Sequence, residues 1–281
     1  MQHIRVNDVS MPALGLGTYQ LEGNVALRIV KHALNVGYRH LDTAQMYGNE
    51  AEIGQAIQES GVPRDQLFIA TKVWPDRFKR EQLIASVDES LAKLKLDGID
   101  LVLLHWPSPD VRLTETLDAL MTVKDAGKVR HIGVSNFTTD LMDKAVGYCG
   151  KGVLVNNQVE YHPYLLQDKV IQKARSLHMT VTAYRPIAKG RVFKDDTITQ
   201  IADAHNKTAA QVTLRWIIQQ DIAAIPRSGN ENHVTENFDI FDFSLSDDEM
   251  QAISALRGNE RLVSPSGIAP DWDEPDPAIA V

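Results

Sequence analysis

The feature that most constrains the fold is a rhythm. Short, nearly continuous apolar runs, each closed by polar or turn residues, alternate with longer amphipathic stretches from about residue 25 to the end. Such runs fall at Arg39–Thr43, Leu67–Val73, Ile99–His105, Arg130–Ser135, Leu154–Glu160, Thr180–Tyr184 and Ala223–Pro226, with an earlier one at Leu14–Thr18. Continuous rather than alternating hydrophobicity marks strands buried on both faces, as parallel strands are. Between them lie helical patterns: Leu83, Val87, Leu91 and Leu94 share one face, as do Leu113, Leu117, Leu120 and Met121. Thr208 is placed to cap the run holding Val212 and Trp216. Ser246 with Glu249 reads as a capping box, with Gly258 as the stop that follows.

Eight strand–helix units in about 250 residues predict an α/β fold of the (β/α)8 barrel type. A doubly wound sheet uses fewer strands and places a glycine-rich turn after its first. The segment His3–Ser10 precedes the barrel; Val6-Asn7-Asp8-Val9 reads as a small hairpin that caps its bottom. Residues 1–281 form one barrel domain in this reading. Residues 258–281 are its C-terminal loop over the barrel mouth, and Asp271–Pro277 is an acidic loop or loose tail.

Composition removes several classes of function. A chain of 281 residues buries enough surface to hold a core without disulfide or metal. Cys149 is the single cysteine, so neither an internal disulfide nor a cysteine-based zinc cluster is available, and no metal is expected. No apolar window is long enough for a membrane span, and Met1–Ser10 lacks the apolar core of a signal peptide, so the expected compartment is the cytoplasm. The formal net charge of −8 argues against a nucleic-acid partner and, at first sight, against an anionic cofactor.

In such a barrel the chemistry sits at the C-terminal strand ends. The polar residues there are Asp42, with Tyr47 in the loop after it, then Lys72, then His105 with Trp106, Ser135 with Asn136, Gln158, Tyr184, and Arg227 with Ser228. Lys72 follows an apolar run, where an unpaired ammonium is costly, and Asp42 on the neighbouring strand is its natural partner. A cation beside Tyr47 is expected to lower the phenol's pKa and make it a usable proton donor. His105, between apolar residues, is expected to stay neutral and to offer a hydrogen bond to a substrate oxygen. Taken singly, each of these residues has an ordinary structural reading; their placement on consecutive strand ends joins them.

These strings resemble the aldo-keto reductases. Gly37-Tyr38-Arg39-His40-Leu41-Asp42-Thr43-Ala44 with Tyr47, Asn49 and Glu50 is similar to the family's signature. So are Ala70-Thr71-Lys72-Val73-Trp74, Leu103-Leu104-His105-Trp106-Pro107, Gly133-Val134-Ser135-Asn136-Phe137, Asn157-Gln158-Val159-Glu160 and Ile225-Pro226-Arg227-Ser228, in the right order. The resemblance runs from about Pro12 to Trp272. The closing run Arg261-Leu262-Val263-Ser264-Pro265, with Gly267 and Ala269-Pro270-Asp271-Trp272, resembles the bacterial 2,5-diketo-D-gluconate reductase branch.

The resemblance implies reduction of aldehydes and ketones, among them methylglyoxal-type dicarbonyls, by hydride from NADPH. It assigns Tyr47 as proton donor, Lys72 and Asp42 as its supports, and His105 as the group that orients the carbonyl. Cofactor binding falls to Thr18, Asp42, Ser135, Asn136, Gln158, Tyr184, Arg185, Pro186, Ile187, Lys189, Arg191, Arg227, Ser228, Gly229, Asn230, His233, Glu236 and Asn237. Substrate binding falls to Tyr19, Tyr47, Trp74, His105 and Trp106. Arg185, Lys189, Arg191 and Arg227 would supply the local positive charge that the net charge hides. At the phosphate-binding segment a family lysine is Arg227 and a family arginine is His233, which implies NADPH with some tolerance of NADH. Relatives of this length imply a monomer acting on a small-molecule carbonyl.

Three rivals remain open at this point. Gly15-Leu16-Gly17-Thr18-Tyr19-Gln20 begins like a Rossmann glycine motif but ends in Gln, with no evident acidic residue at the usual distance. Lys72 can serve a Schiff-base aldolase or lyase on the same barrel. A barrel that binds the cofactor only to regulate a partner is the third.

Overall fold

The computed structural model describes residues 2–274. Ten strands follow in chain order: β1 (His3–Val6), β2 (Val9–Pro12), β3 (Leu16–Gly17), β4 (His40–Asp42), β5 (Phe68–Val73), β6 (Ile99–Leu104), β7 (Val129–Ser135), β8 (Leu154–Glu160), β9 (Thr180–Tyr184) and β10 (Ala223–Ala224). β3 to β10 form one eight-stranded parallel sheet in sequential order. Leu14 bridges Ala224 in parallel, and Gly15 N–H donates to Ala224 O at 2.9 Å, so the sheet closes on itself as a barrel.

The closing seam is shorter than the apolar runs suggest. The expected strands Leu14–Thr18 and Ala223–Pro226 shrink to two residues each. Pro226 has no N–H to extend the ladder, although its carbonyl accepts Gly17 N–H at 3.0 Å. Gly15 and Gly17 belong to this seam. A Cβ on Gly15 would lie 2.7 Å from the His40 ring, and one on Gly17 2.8 Å from Ile225 O. The Gly-x-Gly string therefore lets strands approach rather than cradling a dinucleotide, and the Rossmann rival is set aside.

Strands β5, β6 and β8 are buried at every residue, which is why they read as unbroken apolar runs. The helices cover them with the predicted faces: Leu83, Val87 and Leu94 are buried, as are Leu117 and Leu120. Both predicted caps form, Thr208 with Gln211 and Ser246 with Glu249. The stop is earlier than expected. The last helix ends at Ser254, and Gly258 instead donates its N–H to Tyr164 O at 3.2 Å, tying the chain to the barrel rim.

β1 and β2 pair antiparallel, with Asn7 in the left-handed region (φ 50) at the turn. The hairpin covers the bottom, where Pro12 O meets His40 Nδ1 at 3.2 Å. Beyond Gly258 the chain crosses the mouth. Both carboxylate oxygens of buried Glu160, at the end of β8, accept backbone N–H groups, from Leu262 at 2.8 Å and Val263 at 2.9 Å. Farther on, Asp273 accepts from Thr139 N at 3.0 Å. The expected acidic tail is thus pinned through Asp273, while Pro275, Asp276 and Pro277 lie outside the described residues. Among the described residues no helix is long and apolar enough to cross a membrane.

Candidate active site

The parallel register of the barrel sets the strand ends side by side. Asp42 is opposite Ala70 on β5, and Lys72 is opposite Leu103 on β6. Lys72 and Asp42 are both almost completely buried, and Lys72 Nζ donates to Asp42 Oδ1 and, at 2.8 Å, to Thr43 O. The second oxygen of Asp42 accepts Gln158 Nε2 at 2.7 Å, and Thr18 Oγ1 donates to Asp42 O at 3.0 Å. The ammonium is held on two sides inside the wall. That burial leaves Lys72 no access to a substrate carbonyl, which removes the Schiff-base rival.

Tyr47 sits on a single turn, Gln45–Tyr47, at the mouth. Lys72 Nζ lies 5.3 Å from its ring centroid. The ring meets His105 edge-on at 5.7 Å and Tyr19 at 5.1 Å. His105 in turn packs edge-on against Trp74 at 5.0 Å. Its Nδ1 is buried without a hydrogen-bond partner among the described residues. Burial first, and then the nearby Lys72 charge, hold His105 well below the ordinary imidazole value, so it is neutral, as expected.

The charge state of Tyr47 departs from the sequence expectation. Its pKa is raised well above the ordinary phenol value, first by burial and then by the Asp42 carboxylate. The Lys72 charge that was to lower it does not offset burial and the Asp42 carboxylate. Lys72 is itself lowered by burial, against the pull of Asp42. The arrangement therefore keeps a proton on the phenol, which is the state a donor requires.

The next three strand ends form one network. Ser135 Oγ donates to Gln158 O at 2.8 Å. Asn136, in the left-handed region (φ 62), donates to His105 O and to Ser135 Oγ, each at 3.0 Å. Tyr184 OH donates to Asn136 Oδ1 at 2.8 Å, which fixes a half-buried ring over the same wall. After β9 the chain passes through left-handed conformations at Arg185, Ala188, Lys189 and Gly190. Pro186 is buried there, while Ile187 and Arg185 are half-buried and Lys189 is exposed. A flat ring beside polar side chains, followed by a tight cationic loop, fits a nicotinamide nucleotide with its pyrophosphate.

Two of the cations expected at that cofactor also hold protein groups. Arg191 pairs with Glu260 and lies 3.8 Å over the Tyr164 ring, so it fastens the loop to the C-terminal segment. Arg227 donates from Nε to Tyr19 O at 3.1 Å and from Nη2 to Gln20 O at 3.0 Å. Beyond it, Ser228 Oγ accepts Asn230 N–H at 3.0 Å, and Asn230 caps the helix Glu231–Phe238. Gly229 is half-buried, His233 and Glu236 are exposed on that helix, and Asn237 is buried.

The structure also brings in residues the strand-end reading passed over. Asn49 Nδ2 donates to Thr18 O at 2.9 Å and to Leu21 O at 2.8 Å, shaping the Tyr19 loop from inside. Trp272 stands edge-on to Trp106 at 6.1 Å, and Arg261 stacks on it at 3.5 Å. Glu160 could have been found as the charged end of an apolar strand run; nothing local marks Asn49 as a loop tie.

Known proteins share this arrangement. The sequence profile of the Aldo/keto reductase family matches residues 13–257. The methylglyoxal reductase DkgB of Escherichia coli O157:H7 is 44% identical over 267 residues, covering 94% of this chain and 100% of that protein. A solved structure named as a 2,5-diketo-D-gluconic acid reductase B is 51% identical, covers 98% of each chain and superposes with a TM-score of 0.95. A Bombyx mori aldo-keto reductase in complex with NADP is 33% identical, covering 95% of this chain and 96% of that one, with a TM-score of 0.88. The chain belongs to the aldo-keto reductase family and is an oxidoreductase of its barrel fold.

Proposed function

We propose that this enzyme reduces small dicarbonyls, of the methylglyoxal or 2,5-diketo-D-gluconate kind, to alcohols with NADPH. The observation that carries the reading is the position of Tyr47, a protonated phenol in van der Waals reach of neutral His105 and backed by the buried Lys72–Asp42 pair. When bound, the nicotinamide supplies the hydride. Tyr47 holds the proton that the carbonyl oxygen needs as charge develops on it, and His105 offers an N–H that orients that oxygen. Tyr184 gives the nicotinamide ring a flat support, with Ser135, Asn136 and Gln158 beside it for the carboxamide. Tyr19, Trp74 and Trp106 wall the pocket and exclude water.

NADPH is favoured because the Arg227 fork suits a phosphate, and NADH is tolerated because His233 takes the place of the second arginine that the resemblance implies. The sequence-based expectation of a cytoplasmic monomer goes with this reading. A Tyr47→Phe variant should lose about 10²–10⁴-fold in kcat for methylglyoxal, followed by NADPH absorbance, since a positioned general acid contributes that much. Reduction by Tyr47→Phe at the wild-type rate would remove Tyr47 as the donor. A wild type that does not oxidise NADPH with any dicarbonyl would remove the reading.

A further inference from the structure

The loop Thr18–Leu21 turns with its backbone carbonyls held from two sides. Buried Asn49 takes the carbonyls of Thr18 and Leu21 from inside the barrel. Asn49 is itself fixed by Thr43 Oγ1, which donates to its Oδ1 at 2.8 Å. The two intervening carbonyls, of Tyr19 and Gln20, are taken from outside by Arg227, 208 and 207 positions away in sequence. Gln20 sits in the left-handed region (φ 60), and both Tyr19 and Gln20 are exposed, so the tip between buried Thr18 and Leu21 has little packing of its own to hold it. What the loop carries is the Tyr19 ring, 5.1 Å from the ring of Tyr47.

We infer that Arg227 has two roles joined in one guanidinium: it reads the cofactor's phosphate and it positions the substrate wall. Its Nε–Nη2 edge is committed to the Tyr19 loop, and Nη1 with the remaining Nη2 hydrogen stays for an anion. The first role rests on the proposed cofactor reading; the grip on the loop stands on geometry alone. A planar fork can serve two neighbouring carbonyls and an anion at once, whereas a lysine ammonium is a point charge that cannot reproduce the bidentate edge. Occupation of the phosphate position then stiffens the guanidinium, and through it the wall against which the carbonyl substrate lies.

The test separates the two roles with Arg227→Lys and Arg227→Met. In the cofactor-free protein, amide hydrogen exchange over residues 16–24 should be faster in both variants than in wild type, while exchange in the remaining strands is unchanged. With NADPH at saturation for each variant, the KM for methylglyoxal should rise several-fold in both, with kcat largely retained. The KM for NADPH should rise strongly in Arg227→Met and weakly in Arg227→Lys, which keeps the charge. A change in NADPH KM alone, with loop exchange and carbonyl KM as in wild type, would overturn the positioning role. Absence of NADPH-dependent reduction in the wild type would instead strike the proposed reaction, and the exchange measurement would still decide the grip.

Discussion

Two aspartates lie almost fully buried at opposite ends of the barrel, and their partners differ. Asp42, at the mouth, meets Lys72 and Gln158, which are as buried as it is. Asp100, at the bottom, accepts Ile69 N–H at 2.9 Å and meets the guanidinium groups of Arg64 at 2.6 Å and Arg130 at 3.2 Å. Those arginine side chains are 36% and 67% exposed. If an arginine at the bottom lets go, water receives it. Lys72, buried beside its partner, has no such exit. The bottom cluster is a strand-end tie with replaceable cations. The top cluster is a charge pair fixed in place, which is the condition for preorganised electrostatics beside a reacting group.

The largest test of that difference is Lys72→Met. It strands the Asp42 carboxylate in a dry wall and should cost about 3–5 kcal/mol of stability in urea unfolding. It should also lower kcat by about 10²–10³-fold, the range for loss of one preorganised electrostatic group. Adding Asp42→Asn removes the stranded charge while leaving an oxygen for Gln158. Most of the stability should return and none of the activity. A double variant that regains activity with stability would show the pair to be structural only, like its counterpart at the bottom.

The matching change at the bottom is smaller and of a different kind. Asp100→Ala leaves Ile69 N–H without its acceptor and should cost about 1–3 kcal/mol. Arg64 keeps its bonds to the Leu67 and Gly98 carbonyls and Arg130 turns to solvent, so kcat and KM for the dicarbonyl should stay at wild-type values. A fall in kcat without loss of stability would mean that the two ends are coupled and the contrast is false.

The same contrast explains what could be read in the sequence. Barrel strands were legible because burial on both faces leaves unbroken apolar runs. The four proposed catalytic residues were legible because Asp42, Lys72 and His105 lie at the ends of such runs and Tyr47 follows one of them. The seam strands were read too long, since closure depends on carbonyl and N–H partners across the barrel rather than on hydrophobicity. Ties between distant segments left no local mark: Glu160 to Leu262 and Val263, Asp273 to Thr139, and Arg227 to the Tyr19 loop. Arg191, expected at the cofactor from its position, pairs with Glu260 in the segment that crosses the mouth. The Tyr47 shift runs opposite to the expectation because burial and the Asp42 carboxylate outweigh the Lys72 cation.

The smallest test concerns a pair of buried histidines, one at each end. Burial holds His40 and His105 below the ordinary imidazole value. In the unfolded chain both take up protons as pH falls through about 6.5. The folded protein takes them up only at lower pH, so the unfolded state binds more protons in that window. Stability is therefore complete above about pH 7 and declines as pH falls below about 6.5. The two contributions differ. At His40 the Asp42 carboxylate and the Pro12 carbonyl oppose burial and the Lys72 charge, whereas at His105 the Lys72 charge adds to burial unopposed. In urea titrations from neutral pH downward, His105→Gln should flatten the acid loss more than His40→Gln does. Equal flattening would mean that burial alone governs both ends and that the Lys72–Asp42 pair casts no net field on its neighbours. Because His105 is already neutral, kcat for reduction should show no acid limb from its titration in the same range.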